Sequence, residues 1–473
     1  MSTLDRKALL SLDIIIVGGS NSGLATAFRL CKAGHRVRIF ERGSKSDKYP
    51  GGIRLPPNLT KILDEWGLGQ QLAQQAQSTQ GSQCISVETG ETIGHMQWGA
   101  EVMAELGSQF MLMHYSDFRS ILQEAAVSAG VQISYNKAVV RVFPDPSHIQ
   151  LLDGEEIYAD LIIGADGPSS VVREAIVNPK LEDPQMGSDK VLVYSVTIPR
   201  ERLKEDPELD AFTNPELGGP QYPFFMGHSR LAVGFPMRGG SEYTLQLCFR
   251  DDSVDSTDAK DWDMPISGEA LKSITGDLRL QKILNLSSSI YRVRYVDREP
   301  LSEWMDQSGR LLVIGEAAHP SIPCGNHACS LQIEDAEVLG TLFSRLHSWD
   351  QIHHLTEAFQ ELRQARCDAI RQSDKIALRL ALLPPGPDRN ARNDMLRSMM
   401  PHAGPQGWSD EKIRCQWEEV RMVFGYSARE AAEDWWIMWG LLRERSKTRE
   451  LYDKMQVPIE VTEVTRQDDT TAN

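Results

Sequence analysis

The sequence predicts an α/β chain: a Rossmann-like nucleotide-binding domain, a β-sheet domain inserted into it, and a helical region behind both. Three observations predict this. Residues Asp13 to Val17 (DIIIV) are an unbroken apolar run that ends in glycines and is followed by helical spacing and then HRVRIF, a strand, turn, helix, strand unit. Period-two stretches occur in two separated places, QCISVET after Cys84 and KVLVYSVTI, RLAVGFPM and YTLQLCFR between residues 190 and 250. From Trp349 onward the pattern is almost wholly helical.

Each element follows in order. Leu24 to Lys32 reads as the first helix, and RGSKSDKYPGG as the polar loop after the second strand. Pro56 and Pro57 open a helix through LPPNLTKILDEWG, since proline suits the first helical turn. YSDFRSILQEAAVSA, Tyr115 to Ala129, is amphipathic with Asp117 near its start. VQISYNKAVVRVF and HIQLLDGEEIYADLIIG supply strands, RLLVIGEAA another, and a long helix is expected from about Ala328 to Arg345. Breaks are expected at LPPGPDRNAR and MMPHAGPQG, and the tail VTRQDDTTAN is polar. The nucleotide-binding domain is assigned 1–80, 112–185 and 298–380, the sheet domain 81–111 and 186–297, and the helical region 381–473.

Composition narrows the function. Hydrophobic residues make up 41% and charged residues 25%, as in globular proteins. A formal charge of −16 disfavours phosphate backbones, so no nucleic acid partner is expected. No apolar run reaches the roughly 18 residues that span a bilayer, and MSTLDRKALL has no signal-peptide pattern. A cytoplasmic protein with reduced thiols, monomeric or homodimeric, is the expectation from this and from the odd count of 7 cysteines.

VGGSNSG, Val17 to Gly23, stands at the junction of first strand and first helix. Glycines there allow a tight turn and let a pyrophosphate reach backbone N–H groups at the positive end of the helix. Gly18 and Gly23 fit the fingerprint G-x-G-x-x-G, while Ser20 replaces its middle glycine. Glu41 closes the second strand near the roughly 20-residue spacing expected of an acid that holds a ribose diol. Further on come DLIIGADGPSSVVREAI, Asp160 to Ile176, and LLVIGEAAHP, Leu311 to Pro320, with IEDA at Ile333 to Ala336.

In this order the four motifs resemble those of the single-component flavin-dependent aromatic monooxygenases, the family that includes salicylate hydroxylase and 4-hydroxybenzoate hydroxylase. The resemblance implies a glutathione-reductase type FAD-binding domain, FAD as cofactor, NADPH or NADH as transient co-substrate, and O2. It implies oxygenation of a small phenolic or hydroxybenzoate-type aromatic substrate through a flavin C4a-hydroperoxide. Oxidative decarboxylation or ring expansion are open outcomes. Carried over by position, Gly18, Ser20, Gly23 and Glu41 hold the ADP half, with Arg42 and Arg54 near the cofactor; Asp166 and Gly167 serve FAD and the nicotinamide; Glu316 stands where Asp usually bonds the ribityl chain; Pro320 and Pro323 line the flavin; and Ala328 begins the helix that faces its pyrimidine edge.

The departures carry information too. His114-Tyr115-Ser116-Asp117-Phe118 lacks the family's arginine, for which Arg119, one turn on, is the candidate replacement. The family's G-Q-G loop becomes Asn326-His327-Ala328, flanked by Cys324 and Cys329. No metal is expected there, because these three ligands have unusual spacing and no further set completes them. His327 and Pro323 are instead assigned to the catalytic pocket, together with His228 as a candidate base in YPFFMGHSRLAVGF, where Tyr222, Phe224, Phe225 and Met226 are candidates to cover an aromatic ring. Trp435 and Trp439, at i and i+4, are expected to share one packed helix face. Two other readings fit the same motifs: a flavin-dependent reductase or dehydrogenase, and a degenerate homologue that has lost its flavin.

Overall fold

The computed structural model describes residues 6–45, 51–79, 81–97, 100–177, 186–250, 264–266, 276–287, 290–298, 301–322, 325–398, 418 and 420–442. Pro323, Cys324, the MMPHAGPQG segment and the polar tail lie outside the described residues.

A five-stranded parallel sheet has the order Leu311–Val313, Leu161–Gly164, Asp13–Val17, Arg36–Phe40, Gln132–Ser134. Because both faces of a parallel sheet are covered, its central strand is apolar after Asp13, and Ile14, Ile15 and Ile16 are all buried. The helix Asn21–Lys32 packs against both Tyr115–Ser128 and Ala328–Phe343. Register brings the motifs together. Val17 pairs with Gly164 and Gly164 with Val313, so the fingerprint, the G-A-D-G segment and the G-E-A-A-H-P segment leave the sheet side by side at its carboxyl edge. Open α/β sheets bind ligands at that edge.

The second sheet has eight strands, in the order Met264–Ile266, Ile290–Arg298, Met186–Pro199, Glu242–Arg250, Arg230–Met237, Pro223–Gly227, Gly81–Ser86, Thr92–Gln97. Alternation sorts its residues onto two cores. One face carries Tyr222, Met226, Leu231, Val233, Phe235 and Cys248. The other carries Phe225, Ala232, Tyr243, Leu245 and Leu247, packed against Leu203, Leu209 and Leu280. Between the two large sheets lies a small antiparallel one of Gly52–Leu55, Phe110–His114 and Gln77–Thr79.

The helix Gln351–Ala381 has 31 residues, which at 1.5 Å per residue gives a length of about 46 Å. Leu355 and Phe359 near its start pack into the parallel-sheet core, while Leu378 and Ala381 near its end reach the core of the second sheet. The break after it is shorter than the sequence predicts. Helix resumes at Pro387–Ser398, because proline is tolerated in a first turn, and so DRNAR is helical.

Past residue 420 the chain returns to the nucleotide-binding domain. Ala428–Trp435 lies on Ala328–Phe343, with Arg429 Nη2 2.8 Å from Glu337 Oε1. The expected pairing of Trp435 with Trp439 does not occur. Leu441 N–H bonds to Trp436 O, an i to i+5 step that widens the turn and rotates Trp439 off the packed face. Trp435 and Trp436 are 5% and 6% exposed, Trp439 53%.

Candidate FAD and substrate site

Gly18, at φ 105°, needs the left-handed freedom of glycine, and a Cβ there would lie 2.4 Å from Ala165 O. A Cβ at Gly23 would lie 2.0 Å from Gly18 O. Both positions demand glycine for close packing of loop on helix. Ser20, in contrast, has φ −80° and ψ −175°, open to any residue, so replacing the middle glycine strains nothing. Glu41 spans the loop, with Oε2 accepting from Gly19 N–H and Oε1 from Gly43 N–H, each at 2.6 Å. Arg119 is buried, and its Nη2 donates to Gly19 O at 3.0 Å, which ties the helix Tyr115–Ser128 to the fingerprint as a replacement for the missing arginine requires. Arg42 sits in the exposed loop just beyond.

Asp166 Oδ2 accepts from Val171 N–H at 2.8 Å, while Oδ1 is buried without a hydrogen-bond partner among the described residues. Burial raises its pKa. A Cβ on Gly167 would meet nothing within 4 Å, so this turn borders open space. Such an orphaned oxygen beside open volume fits a polar ligand supplied from outside the protein. Next to it, Gly315 has φ 56°, and its built Cβ would fall 2.7 Å from Ser22 Oγ, which brings the Glu316 turn close to the fingerprint helix. Glu316 accepts from Ser321 N–H at 3.2 Å, and burial pushes its carboxyl up to about 7.

Beneath this turn runs a buried ionic network. Asp335 Oδ2 accepts from Gly315 N–H at 3.0 Å and lies 2.7 Å from His319 Nε2, while Oδ1 takes Arg363 Nε at 2.8 Å. Glu334 pairs with Arg363 Nη1 at 2.7 Å and Arg366 Nη2 at 3.1 Å, and accepts from Asn58 Nδ2 at 2.6 Å. The I-E-D-A motif thereby anchors the Gly315–Ala317 turn from below. Ala328 opens the helix above it, with His327 at its N-cap.

His327 is 4% exposed, its ring centroid is 5.3 Å from that of Phe424, and its Nδ1 has no hydrogen-bond partner among the described residues. Burial, then the nearby cations Arg366 and Arg54, lower its pKa to about 3. The ring is therefore neutral at working pH and a weak base. Burial likewise pushes the Cys329 thiol up to about 12, so it is no thiolate. Tyr222 O–H donates to Asn326 Oδ1 at 3.3 Å, across from the loop to the second sheet. Arg54 is buried on Gly52–Leu55 and acts electrostatically on His327, Cys329 and Asp374.

Of the aromatic candidates, Tyr222, Phe224 and Met226 line the face that meets Phe110, Phe235, Ile322 and Phe424. Phe225 points to the opposite core, against Phe212. His228 is not brought to this site: it is exposed on the turn joining Pro223–Gly227 to Arg230–Met237, its backbone N–H donating to Glu88 Oε1 at 2.9 Å. The hairpin turn that the sequence hides in YPFFMGHSR removes it from the pocket wall. Phe424 and Asp374 were not found from sequence, since neither belongs to a motif.

Residues 11–373 match the protein family described as FAD binding domain. The chain belongs to that family of FAD-dependent monooxygenases. Among its relatives, this monooxygenase is 25% identical over 435 residues to the FAD-dependent monooxygenase OpS4 of Beauveria bassiana (strain ARSEF 2860), covering 89% of this chain and 96% of that one. It is 28% identical over 331 residues to the 3-hydroxybenzoate 6-hydroxylase of Klebsiella oxytoca, covering 69% and 78%. In fold it is similar to a salicylate hydroxylase substrate complex, with a TM-score of 0.68, 19% identity, and 89% and 97% of the two chains covered. The monooxygenase has no described helix long and apolar enough to cross a membrane.

Proposed function

We propose that this monooxygenase uses NAD(P)H and O2 to oxygenate an electron-rich phenolic ring of the hydroxybenzoate type. One observation carries the reading: an aromatic wall of Tyr222, Phe224, Phe110 and Phe235 faces a loop that holds a neutral histidine, with a buried arginine acting on it. Bound FAD, held by Gly18, Gly23, Glu41, Arg119, Asp166 and Glu316, supplies the activation of dioxygen.

The side chains have separate tasks. Tyr222, Phe224 and Phe235 hold an aromatic ring by area and by ring geometry. Arg54 favours the ionised form of a phenol or a carboxylate on that ring. His327, uncharged, offers a hydrogen bond without a proton to give. The N-terminus of Ala328–Phe343 adds positive potential where negative charge gathers. Phe424 covers His327 and keeps water off that side. Whether the product is a simple hydroxylation, an oxidative decarboxylation or a ring expansion depends on what the attacked carbon bears.

The test is oxygen uptake and NADH or NADPH oxidation by the FAD-loaded protein across a panel of phenols and hydroxybenzoates, with product mass measured. Faster oxidation with a ring compound and a product heavier by one oxygen, less carbon dioxide where decarboxylation follows, is expected. Substrate-dependent NAD(P)H oxidation that proceeds equally without oxygen would replace this reading with a reductase.

A further inference from the structure

The loop that replaces the family's G-Q-G needs something to fix its shape, because His327 and Ala328 have side chains where glycines usually stand. We infer that Asp374, on the helix Gln351–Ala381, is a positioning residue that clamps this loop and, through Asn326, sets where Tyr222 stands in the substrate pocket.

Gly325 is the one glycine the loop retains, and a Cβ built there would lie 2.7 Å from Asp374 Oδ2 and 3.1 Å from Ile322 O. The carboxylate is thus pressed against the loop backbone, and the absence of a side chain at 325 is what admits it. One residue on, the Asn326 backbone acts on the same carboxylate and offsets part of the pKa rise that burial causes. The Asn326 side chain then accepts from Tyr222 O–H at 3.3 Å. Tyr222 is itself held between Phe110 and Phe235, at ring-centroid distances of 6.2 and 6.0 Å. The close approach of the carboxylate to Gly325 and the Tyr222–Asn326 hydrogen bond therefore connect a helix outside all four motifs to the aromatic face of the second sheet.

The groups around Asp374 explain why it is placed for this task rather than as a surface acid. Arg54 acts on it from the strand Gly52–Leu55. Asp368 and Arg371 on its own helix, and His319 and Ser321 from the flavin-side turn, line the same cavity. Burial pushes the carboxyl up to about 7, so the clamp carries its full charge above that pH and is weakened as the pH falls through it.

This inference rests on the site proposed above but not on its chemistry, and its test reads the loop directly. Hydrogen–deuterium exchange is measured on the FAD-loaded protein without any aromatic substrate at pH 8. Asp374→Ala is expected to speed exchange of the 325–328 segment by roughly tenfold or more, as loss of the carboxylate packed on Gly325 predicts, with exchange of the helix Asn21–Lys32 unchanged. Asp374→Asn is uncharged at every pH and is expected to show at pH 8 the looser exchange that wild type reaches only below pH 7, with no pH response of its own. Gly325→Ala should loosen the same segment, and adding Asp374→Ala to it should cause little more. Should Asp374→Ala fail to fold, Asp374→Asn and Gly325→Ala decide. Exchange at 325–328 within twofold of wild type in Asp374→Ala, or an unaltered pH response in Asp374→Asn, would overturn the inference. If the phenol panel gives no turnover while the loop loosens as described, the function reading fails and the clamp stands.

Discussion

Replacing Glu337 by Ala tests whether the C-terminal segment is held by one buried carboxylate. Glu337 has no exposed surface, and its two oxygens serve four partners: Arg29 Nε at 2.8 Å, Trp66 Nε1 at 2.6 Å, Arg429 Nη2 at 2.8 Å and Thr341 Oγ1 at 3.2 Å. Arg29 is 4% exposed, so removing its partner strands a cation away from water. Breaking a buried pair from one side costs about 3–5 kcal/mol. Against a total of about 5–15 kcal/mol, this is a large share of the stability. Urea unfolding of the apo protein, followed by tryptophan fluorescence, measures it. Trp66→Phe is the internal scale, since it deletes a hydrogen bond to the carboxylate, worth about 1.5–3 kcal/mol, and part of a buried ring while leaving the Arg29 pair in place. The docking adds a second readout, because Ala428–Trp435 carries Arg429 and follows Phe424, the residue over His327. A Glu337→Ala loss under about 1 kcal/mol, no larger than a surface pair gives, would refute the reasoning.

Glu316 gives a pH dependence whose sign follows from its raised pKa. Unfolded, it ionises near 4.5; folded, near 7. The protonated form is favoured by folding, so its contribution is full below the unfolded value and is lost as pH rises through the folded one. Apo Glu316→Gln should therefore lose less stability than wild type between those two pH values, as followed by thermal melts. Trp435→Ala should cost about 3–5 kcal/mol in urea unfolding as a buried aromatic, and Trp439→Ala less than about 0.5 kcal/mol. Equal losses would contradict the widened turn at Trp436–Gly440. Gly23→Ala places a methyl 2.0 Å from Gly18 O and should weaken FAD binding, measured by flavin fluorescence quenching, far more than Ser20→Gly, whose backbone already suits any residue.

The parallel sheet and its edge were legible because each motif announces itself locally. An apolar run ending in glycine is a strand followed by a phosphate turn, and DIIIVGG, DLIIGADG and LLVIGEAA all have that form. Register then brought the three together. Arg119 was singled out as lying one turn from the missing arginine, and the structure puts its guanidinium on Gly19 O. The aromatic face of the second sheet was only half legible. Period two says that Phe224 and Phe225 face opposite ways but not which way is inward, and the location of the turn at His228 is what settles it. Phe424 and Asp374 were invisible to motif reading because their partners are distant in sequence and their own neighbourhoods are ordinary amphipathic helix. The tryptophan pairing failed because spacing alone assumes an α-helical turn.

His327 is where the sequence and the structure together say more than either. By composition, a histidine between two cysteines suggests a metal ligand or a base. Burial, with the cations Arg366 and Arg54 beside it, keeps the His327 ring neutral and a poor base, and burial keeps the Cys329 thiol protonated. What remains is a neutral ring at the N-cap of Ala328–Phe343, with an Nδ1 that has no partner among the described residues. A group of that kind orients a ligand without exchanging protons with it, so its loss should alter where oxygen is delivered more than how fast the flavin is reduced. With His327→Gly, the rate of flavin reduction by NAD(P)H is expected to stay within about threefold of wild type, while peroxide released per NAD(P)H consumed rises, because the ring no longer fixes the substrate against the loop. An unchanged peroxide yield together with an unchanged product would mean that His327 only fills space beneath Phe424.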